Sequence, residues 1–190
     1  IITVYDAEDI PHPEQLLIAA RRFRDGDEKL AVVQAPLQPH NAASSWFAAQ
    51  FTLEYAIHFR VWLPALTDFN IPIALGGTSN HFRASALRKV GAWDPFNVTE
   101  DADLGLRLAA FGYSSAMIPP PTLEEAPVHW AQWLPQRTRW IKGHILTWLV
   151  MMRQPIALIK SVGVFRFLGV QISFGASVLS SLFHGPLTLL

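Results

Sequence analysis

The sequence predicts an α/β fold: a mostly parallel sheet flanked by helices, followed by interfacial and transmembrane helices. Three observations carry that expectation. A β-branched run, an amphipathic run and a second apolar run follow one another within the first 34 residues, the strand–helix–strand order of a parallel sheet. Further short apolar runs alternate with amphipathic segments up to about residue 150. Residues 165–190 then hold Arg166 and His184 but no acid, an apolar stretch long enough to cross a bilayer. The expected division is therefore an α/β part at 1–150, then an interfacial helix and the start of a transmembrane region at 151–190.

Residues 1–5, rich in Ile, Thr and Val, read as a buried strand whose end delivers Asp6, Glu8 and Asp9. Pro13 opens a helix with Leu16, Leu17, Ala20 and Phe23 as its apolar stripe, ended by Asp25-Gly26-Asp27. Residues 30–34 form the next strand, stopped by Pro36. Ligands of such sheets bind at the carboxyl ends of strands, and the acidic cluster falls there. Residues 43–66 carry Trp46, Phe51, Tyr55, Phe59 and Trp62, a helix with a broad aromatic face suited to core packing or to a membrane surface. A strand at 71–75 leads into Gly76-Gly77-Thr78-Ser79-Asn80, and a helix runs from Ala84 to near Gly91. Thr99 is placed to cap a helix whose first turn holds Glu100, Asp101 and Asp103, with Leu104, Leu108 and Phe111 buried and Gly112 as its stop. Residues 113–118 are another strand, Glu124-Glu125 belong to a polar loop, and Trp130, Trp133 and Trp140 surround the basic segment 137–142.

Composition limits the function classes. Fifteen basic and fifteen acidic residues cancel, so no global field recruits nucleic acid, and an anionic ligand has to be held locally. The absence of cysteine removes disulfides, thiolate metal sites and cysteine nucleophiles. Arg153, Lys160 and Arg166 flank the apolar C-terminus, and a basic flank stays cytoplasmic, which places the preceding domain in the cytosol. The alternative for 165–190 is a buried core helix. The N-terminus carries no signal-peptide pattern and reads as starting inside a fold.

Three constellations bear chemistry. Asp6, Glu8 and Asp9 at a strand end offer hard oxygens to Mg²⁺ or Mn²⁺, although such clusters also make solvated turns. Glu100 and Asp101 at a helix start suit either plain capping or general-base work on a hydroxyl, with Asp103 in the plainer role. Gln136, Arg139 and Trp140 join a phosphate-binding guanidinium to an indole that stacks on sugar, a pairing that also occurs as simple packing.

The segments YDAEDIPHPEQL, GGTSNHFRASAL, GAWDPFNVTEDADLGLRLAAFGY and QRTRWIKG, in that order, make residues 1–152 resemble glycosyltransferase family 2, particularly its processive, cellulose-synthase-like membrane enzymes. The DAED sequence with its following proline resembles a bacterial subgroup. The resemblance implies a partial GT-A fold. It implies that Asp6 and Glu8 match the family's Asp-x-Asp metal pair for Mg²⁺ or Mn²⁺, with Glu in second place and Asp9 beside it as a further candidate ligand. It gives Asp101 the role of general base, supported by Glu100, and places Gln136, Arg139 and Trp140 at the acceptor and pyrophosphate. Gly77, Thr78 and Asn80 match a loop near the acceptor and the transferred sugar. The family's first strands, which bind the nucleoside, have no counterpart before Ile1, so the chain alone is expected to bind donor poorly. The expected activity is inverting transfer of a hexose from a nucleotide-diphosphate sugar to a glycan or lipid-linked acceptor at the cytosolic face of the inner (plasma) membrane. Its rivals are an idle membrane receptor or scaffold, a non-processive transferase acting on a lipid carrier, and a metal-dependent phosphohydrolase.

Overall fold

The computed structural model describes residues 1–176, 178 and 179. Strand β1 (Ile2–Val4) leads through a short β2 (Ile10–Pro11) to helix α1 (Gln15–Asp25) and strand β3 (Leu30–Gln34), the expected strand–helix–strand order. The sheet it enters is not mostly parallel. Its order is β1-β5-β3-β6, in which β5 (Asn80–Phe82) lies antiparallel between β1 and β3, and only β3 and β6 (Ser114–Met117) run parallel. The chain enters β5 through Ser79, which has a left-handed φ of 59°. There the Ser79 amide donates to Val4 O at 2.9 Å and its carbonyl accepts from the Ala35 amide at 3.0 Å, so the returning chain inserts between two strand ends.

Residues 71–75 are not the strand their apolar run suggests. They are irregular core chain without a ladder, with Ile73 and Leu75 buried and helix α5 (Glu100–Ala110) pressed against their backbone. Strand β1 is a half-exposed edge rather than a buried strand. A second sheet, β2-β7-β4, joins Ile10–Pro11 to β7 (Thr122–Glu124) and β4 (Leu37–Pro39) and places Glu124 beside the acidic turn.

Helix α1 buries Gln15, Ala19 and Phe23, whereas Leu16 and Leu17 are more than half exposed. The stripe moves because Gln15 ties three segments together. Its amide donates to Pro120 O (3.1 Å) and Thr122 Oγ1 (3.0 Å) and its carbonyl accepts from Tyr5 OH (2.7 Å). The aromatic segment is one long rod, with α2 (Trp46–Ile57) continuing through a π turn (His58–Trp62) into α3 (Leu63–Asp68). Ser45 Oγ caps it by accepting from the Ala48 amide at 3.1 Å. Phe51, Phe59 and Leu63 face the core, while Trp46, Leu53, Ile57 and Val61 face outward.

Helix α4 (Ala84–Lys89) ends at Gly91, whose φ is +83°. In α5, Leu104 and Leu108 are buried as the pattern predicts, but Phe111 is half exposed. The chain turns at Gly112 (φ +84°) and the Tyr113 amide closes onto Leu108 O, which leaves Phe111 at the outer corner. Asp103 plays its structural part, accepting from Arg107 Nε at 2.6 Å one turn on.

The 22-residue helix α6 (Trp130–Met151) is followed by α7 (Pro155–Val162) and α8 (Val164–Val170), the last extended by a π turn to Gly175. Among the described residues no single helix is long and apolar enough to cross a membrane; α6 and α7 reach that content only together, bent by 87°. The start of the span expected at 165–190 instead buries Val170 and Phe174 against Ala102 and Leu106 of α5. The rest of that expected span, residue 177 and residues 180–190, lies outside the described residues.

Candidate active site

The acidic turn after β1 is shaped by Asp9. Its Oδ2 accepts from the Asp6 amide at 3.0 Å and from the Thr78 hydroxyl, and the Asp6 amide also donates to Thr78 Oγ1 at 3.1 Å. Asp9 is thus engaged within the protein. Burial, then the neighbouring Asp9, Glu8 and Glu100 carboxylates, raises the Asp6 carboxyl above its ordinary value.

Opposite stands the Gly76–Thr78 loop. Gln34, buried on β3, donates to Thr78 O at 3.1 Å and accepts from the Gly76 amide at 2.8 Å. Asn80, expected to touch substrate, is buried on β5 outside the cavity lining and donates to Gly76 O (2.5 Å) and Thr78 O (3.2 Å). Its amide nitrogen is engaged in holding the loop while its Oδ1 is buried without a hydrogen-bond partner, an arrangement that a motif cannot reveal. Gly77 brings this loop to the base candidate, because a Cβ there would lie 3.4 Å from Asp101 Oδ2.

Glu100 and Asp101 open α5. Asp101 Oδ1 accepts from the Ala102 amide at 2.8 Å, and burial raises its carboxyl above the ordinary range despite that bond. Thr99 stands at the cap position without a side-chain cap bond.

Helix α6 supplies the remaining wall. Gln136 is partly buried with its Oε1 unpartnered, while Arg139 is exposed at the cavity. The guanidinium against Trp140 belongs to Arg137 rather than Arg139. It lies 5.2 Å from the Phe51 ring, 5.6 Å from Trp133 and 5.3 Å from Trp140, and it pairs with Glu54.

These stretches open onto one cavity of about 900 Å³. Asp6, Glu8 and Asp9 border it on one side, Gly77 and Thr78 on another, Glu100 and Asp101 on a third, and Gln136, Arg139 and Trp140 close it. Of the predicted site residues only Asn80 stays outside the lining.

Sequence reading missed Glu124, Tyr55, His58, Arg137 and His144, which also line the space. Burial and the Asp9 and Asp6 charges raise Glu124 to about 7. Burial, then Glu124, raises the Tyr55 phenol well above its ordinary value. Burial and His144 lower His58 to about 4. His58 stands at the start of the π turn, an irregularity frequent at functional sites. The signal available beforehand was a polar residue inside an otherwise apolar helix face. Among the described residues no three His, Asp or Glu side chains are assembled as a ready metal cage.

A model of the family described as glycosyl transferase family group 2 matches residues 1–190. The chain belongs to this family. It is similar to the probable glycosyltransferase YdaM of Bacillus subtilis (strain 168), 31% identical over 147 residues, covering 76% of this chain and 34% of that protein. It is also similar to the probable glucomannan 4-beta-mannosyltransferase 1 of Arabidopsis thaliana, 27% identical over 143 residues, covering 75% of this chain and 26% of that protein. The chain therefore spans about a third or less of the length of these curated relatives. Among solved structures it resembles the mannosyltransferase PcManGT from Pyrobaculum calidifontis in complex with GDP-Man and Mn²⁺, with a TM-score of 0.58 at 15% identity, covering 98% of this chain and 54% of that one. At that identity the likeness establishes the fold, a mixed α/β arrangement similar to GT-A glycosyltransferases. The family 2 motifs thus fall on the four walls of one cavity.

Proposed function

We propose that this family 2 chain is the catalytic part of an inverting glycosyltransferase that moves a hexose from a nucleotide-diphosphate sugar to a glycan acceptor. The observation that carries the reading is the approach of Asp101, Asp6 and Arg139, remote in sequence, to a single cavity. Asp101 takes the proton from an acceptor hydroxyl, and its raised affinity for a proton suits a base. The hydroxyl oxygen forms a bond to the anomeric carbon from the face opposite the leaving group. The bond to the diphosphate oxygen breaks, its electron pair leaves with the nucleoside diphosphate, and the anomeric centre inverts. Arg139 faces the developing phosphate charge, while Gln136, Trp140 and the backbone at Gly77 border the sugars.

Asp6 and Glu8 fit a hard divalent cation. Burial and, after it, crowding by neighbouring carboxylates raise both Asp6 and Glu124, negative charge that Mg²⁺ or Mn²⁺ would relieve, and the solved fold relative holds GDP-Man and Mn²⁺. When bound, the ion offsets charge on the leaving diphosphate. Asp9, already bonded to Thr78 and the Asp6 amide, shapes the turn instead.

The division at residue 150 and the cytosolic face of the plasma membrane belong to the same proposal. Leu149, Val150, Ile156, Val164, Phe165 and Leu168 are half exposed or more, an apolar surface suited to a membrane interface.

The test uses the full-length protein in membranes, offered a panel of nucleotide sugars with and without Mg²⁺ or Mn²⁺. Transfer that depends on donor identity and falls by about 100-fold to 10,000-fold in Asp101→Asn is expected. Unchanged transfer in that variant, or none with any donor, would leave an idle scaffold as the better reading.

A further inference from the structure

Thr99 breaks a local rule. A threonine at a helix N-cap normally turns its hydroxyl onto the first free amides, worth about 1 kcal/mol, yet Thr99 makes no such bond. Its hydroxyl faces another helix.

On α6, Trp140, Gly143 and Thr147 are spaced by three and four residues and therefore share one stripe. The Trp140 end of that stripe lines the cavity. The other end meets the turn before α5. A Cβ on Gly143 would fall 2.3 Å from Thr99 Cγ2 and 2.6 Å from Thr99 Oγ1, so only glycine permits this approach. Asn97 bridges the two elements: its Nδ2 donates to Thr147 Oγ1 at 3.0 Å and its Oδ1 accepts from the Thr99 amide at 3.0 Å. The Thr99 and Thr147 hydroxyls stand 3.4 Å apart. Both threonines are buried, at 4% and 1% exposure, so their hydrogen bonds form away from solvent.

We propose that Asn97, Thr99 and Thr147 form a latch that holds the Asp101-bearing start of α5 against the sugar-facing helix α6, acting as positioning residues for Asp101. This rests on Asp101 being the general base. Asp101 follows Thr99 by two residues, so a shift of the latch is passed directly to its carboxylate. Acceptor seated against Trp140 and the base that deprotonates it then move as one body, with no covalent step of their own.

The experiment compares Thr147→Val, which keeps the branched shape and removes the hydroxyl, with Thr147→Ser, which keeps the hydroxyl. The full-length protein in membranes is assayed for kcat, acceptor KM and donor affinity. Thr147→Val is expected to lower kcat about tenfold or more while acceptor KM and donor affinity stay within about twofold, and Thr147→Ser to recover most of the loss. Asn97→Ala should reproduce the Val effect, and combining it with Thr147→Val should add little, as partners in one bond do. A kcat within about twofold of the parent in Thr147→Val, while Asp101→Asn is inactive, overturns the latch alone. Parallel loss of kcat and donor affinity without rescue by serine overturns it too, since that marks ordinary packing. Full transfer in Asp101→Asn overturns the base assignment and the latch with it.

Discussion

Burial beside Asp9 and Asp6 raises the Glu124 carboxyl to about 7 from an ordinary 4.5. Between those values the folded chain keeps a proton that the unfolded chain has released, so this group's contribution to stability falls as pH rises through that window. Glu124→Gln removes the titration. Thermal unfolding of parent and variant should diverge in favour of the variant from about pH 4.5 to about pH 7 and hold a constant difference above it. A difference independent of pH would sink this account of Glu124. Asp101 has the opposite consequence for activity. A base must be unprotonated, so transfer should fall on acidification at a pH above the ordinary carboxylate range, the limb vanishing in Asp101→Asn. Asp6, Glu8, Asp101, Gln136, Arg139 and Trp140, which line one cavity, could be picked out beforehand because each sits in a short stretch that resembles a family 2 segment, whereas charge and spacing alone left plainer roles open. Glu124 could not be picked out, because its proton affinity comes from burial in the assembled fold and then from acids more than a hundred residues away in sequence. Arg137 was missed for a related reason, since the aromatic box around it draws Phe51 from another helix.

Helix α5 is held by close approach on two sides, at its start by α6 and along its body by residues 71–75. A Cβ at Gly105 would lie 2.3 Å from Ile73 O, a backbone atom that cannot rotate away. Gly105→Ala should therefore cost about 1–3 kcal/mol in denaturant unfolding, although alanine is the better helix former by about 1 kcal/mol. A neutral or stabilising result would mean that α5 can move off this segment. The same contact explains why 71–75 misled the sequence reading. A five-residue apolar run bounded by turns has the pattern of a buried strand, but its neighbour is a helix rather than a strand edge. Helices α1, α4 and α5 fell where their local periodicity and stops put them, with Leu16, Leu17 and Phe111 displaced where a buried glutamine or a glycine turn rotated the face; the 22-residue α6, which holds Pro135, was not read as a helix at all.

Strand pairing is decided by the whole chain, which is why the class of fold was visible and the direction of its central strands was not. β5 joins β1 across 78 residues, between Thr3 and His81, and nothing near either strand records the partner. The same long-range pairing brings the acidic turn against the Gly77 loop and makes the cavity a property of the assembled sheet. A metal that needs Asp6 and Glu8 should therefore bind the folded state alone and stabilise it by mass action, by about 2.7 kcal/mol at a hundred times its Kd. Thermal unfolding of the full-length protein with nucleoside diphosphate should rise on adding Mn²⁺ and return on adding a chelator. Asp6→Asn with Glu8→Gln should abolish that rise. Asp9→Asn should instead lower the starting stability by loosening the Thr78 contact while keeping most of the Mn²⁺ response. An equal rise in the chelator, or in the Asp6 and Glu8 variant, would show that the carboxylates crowd this cavity for some purpose other than a cation.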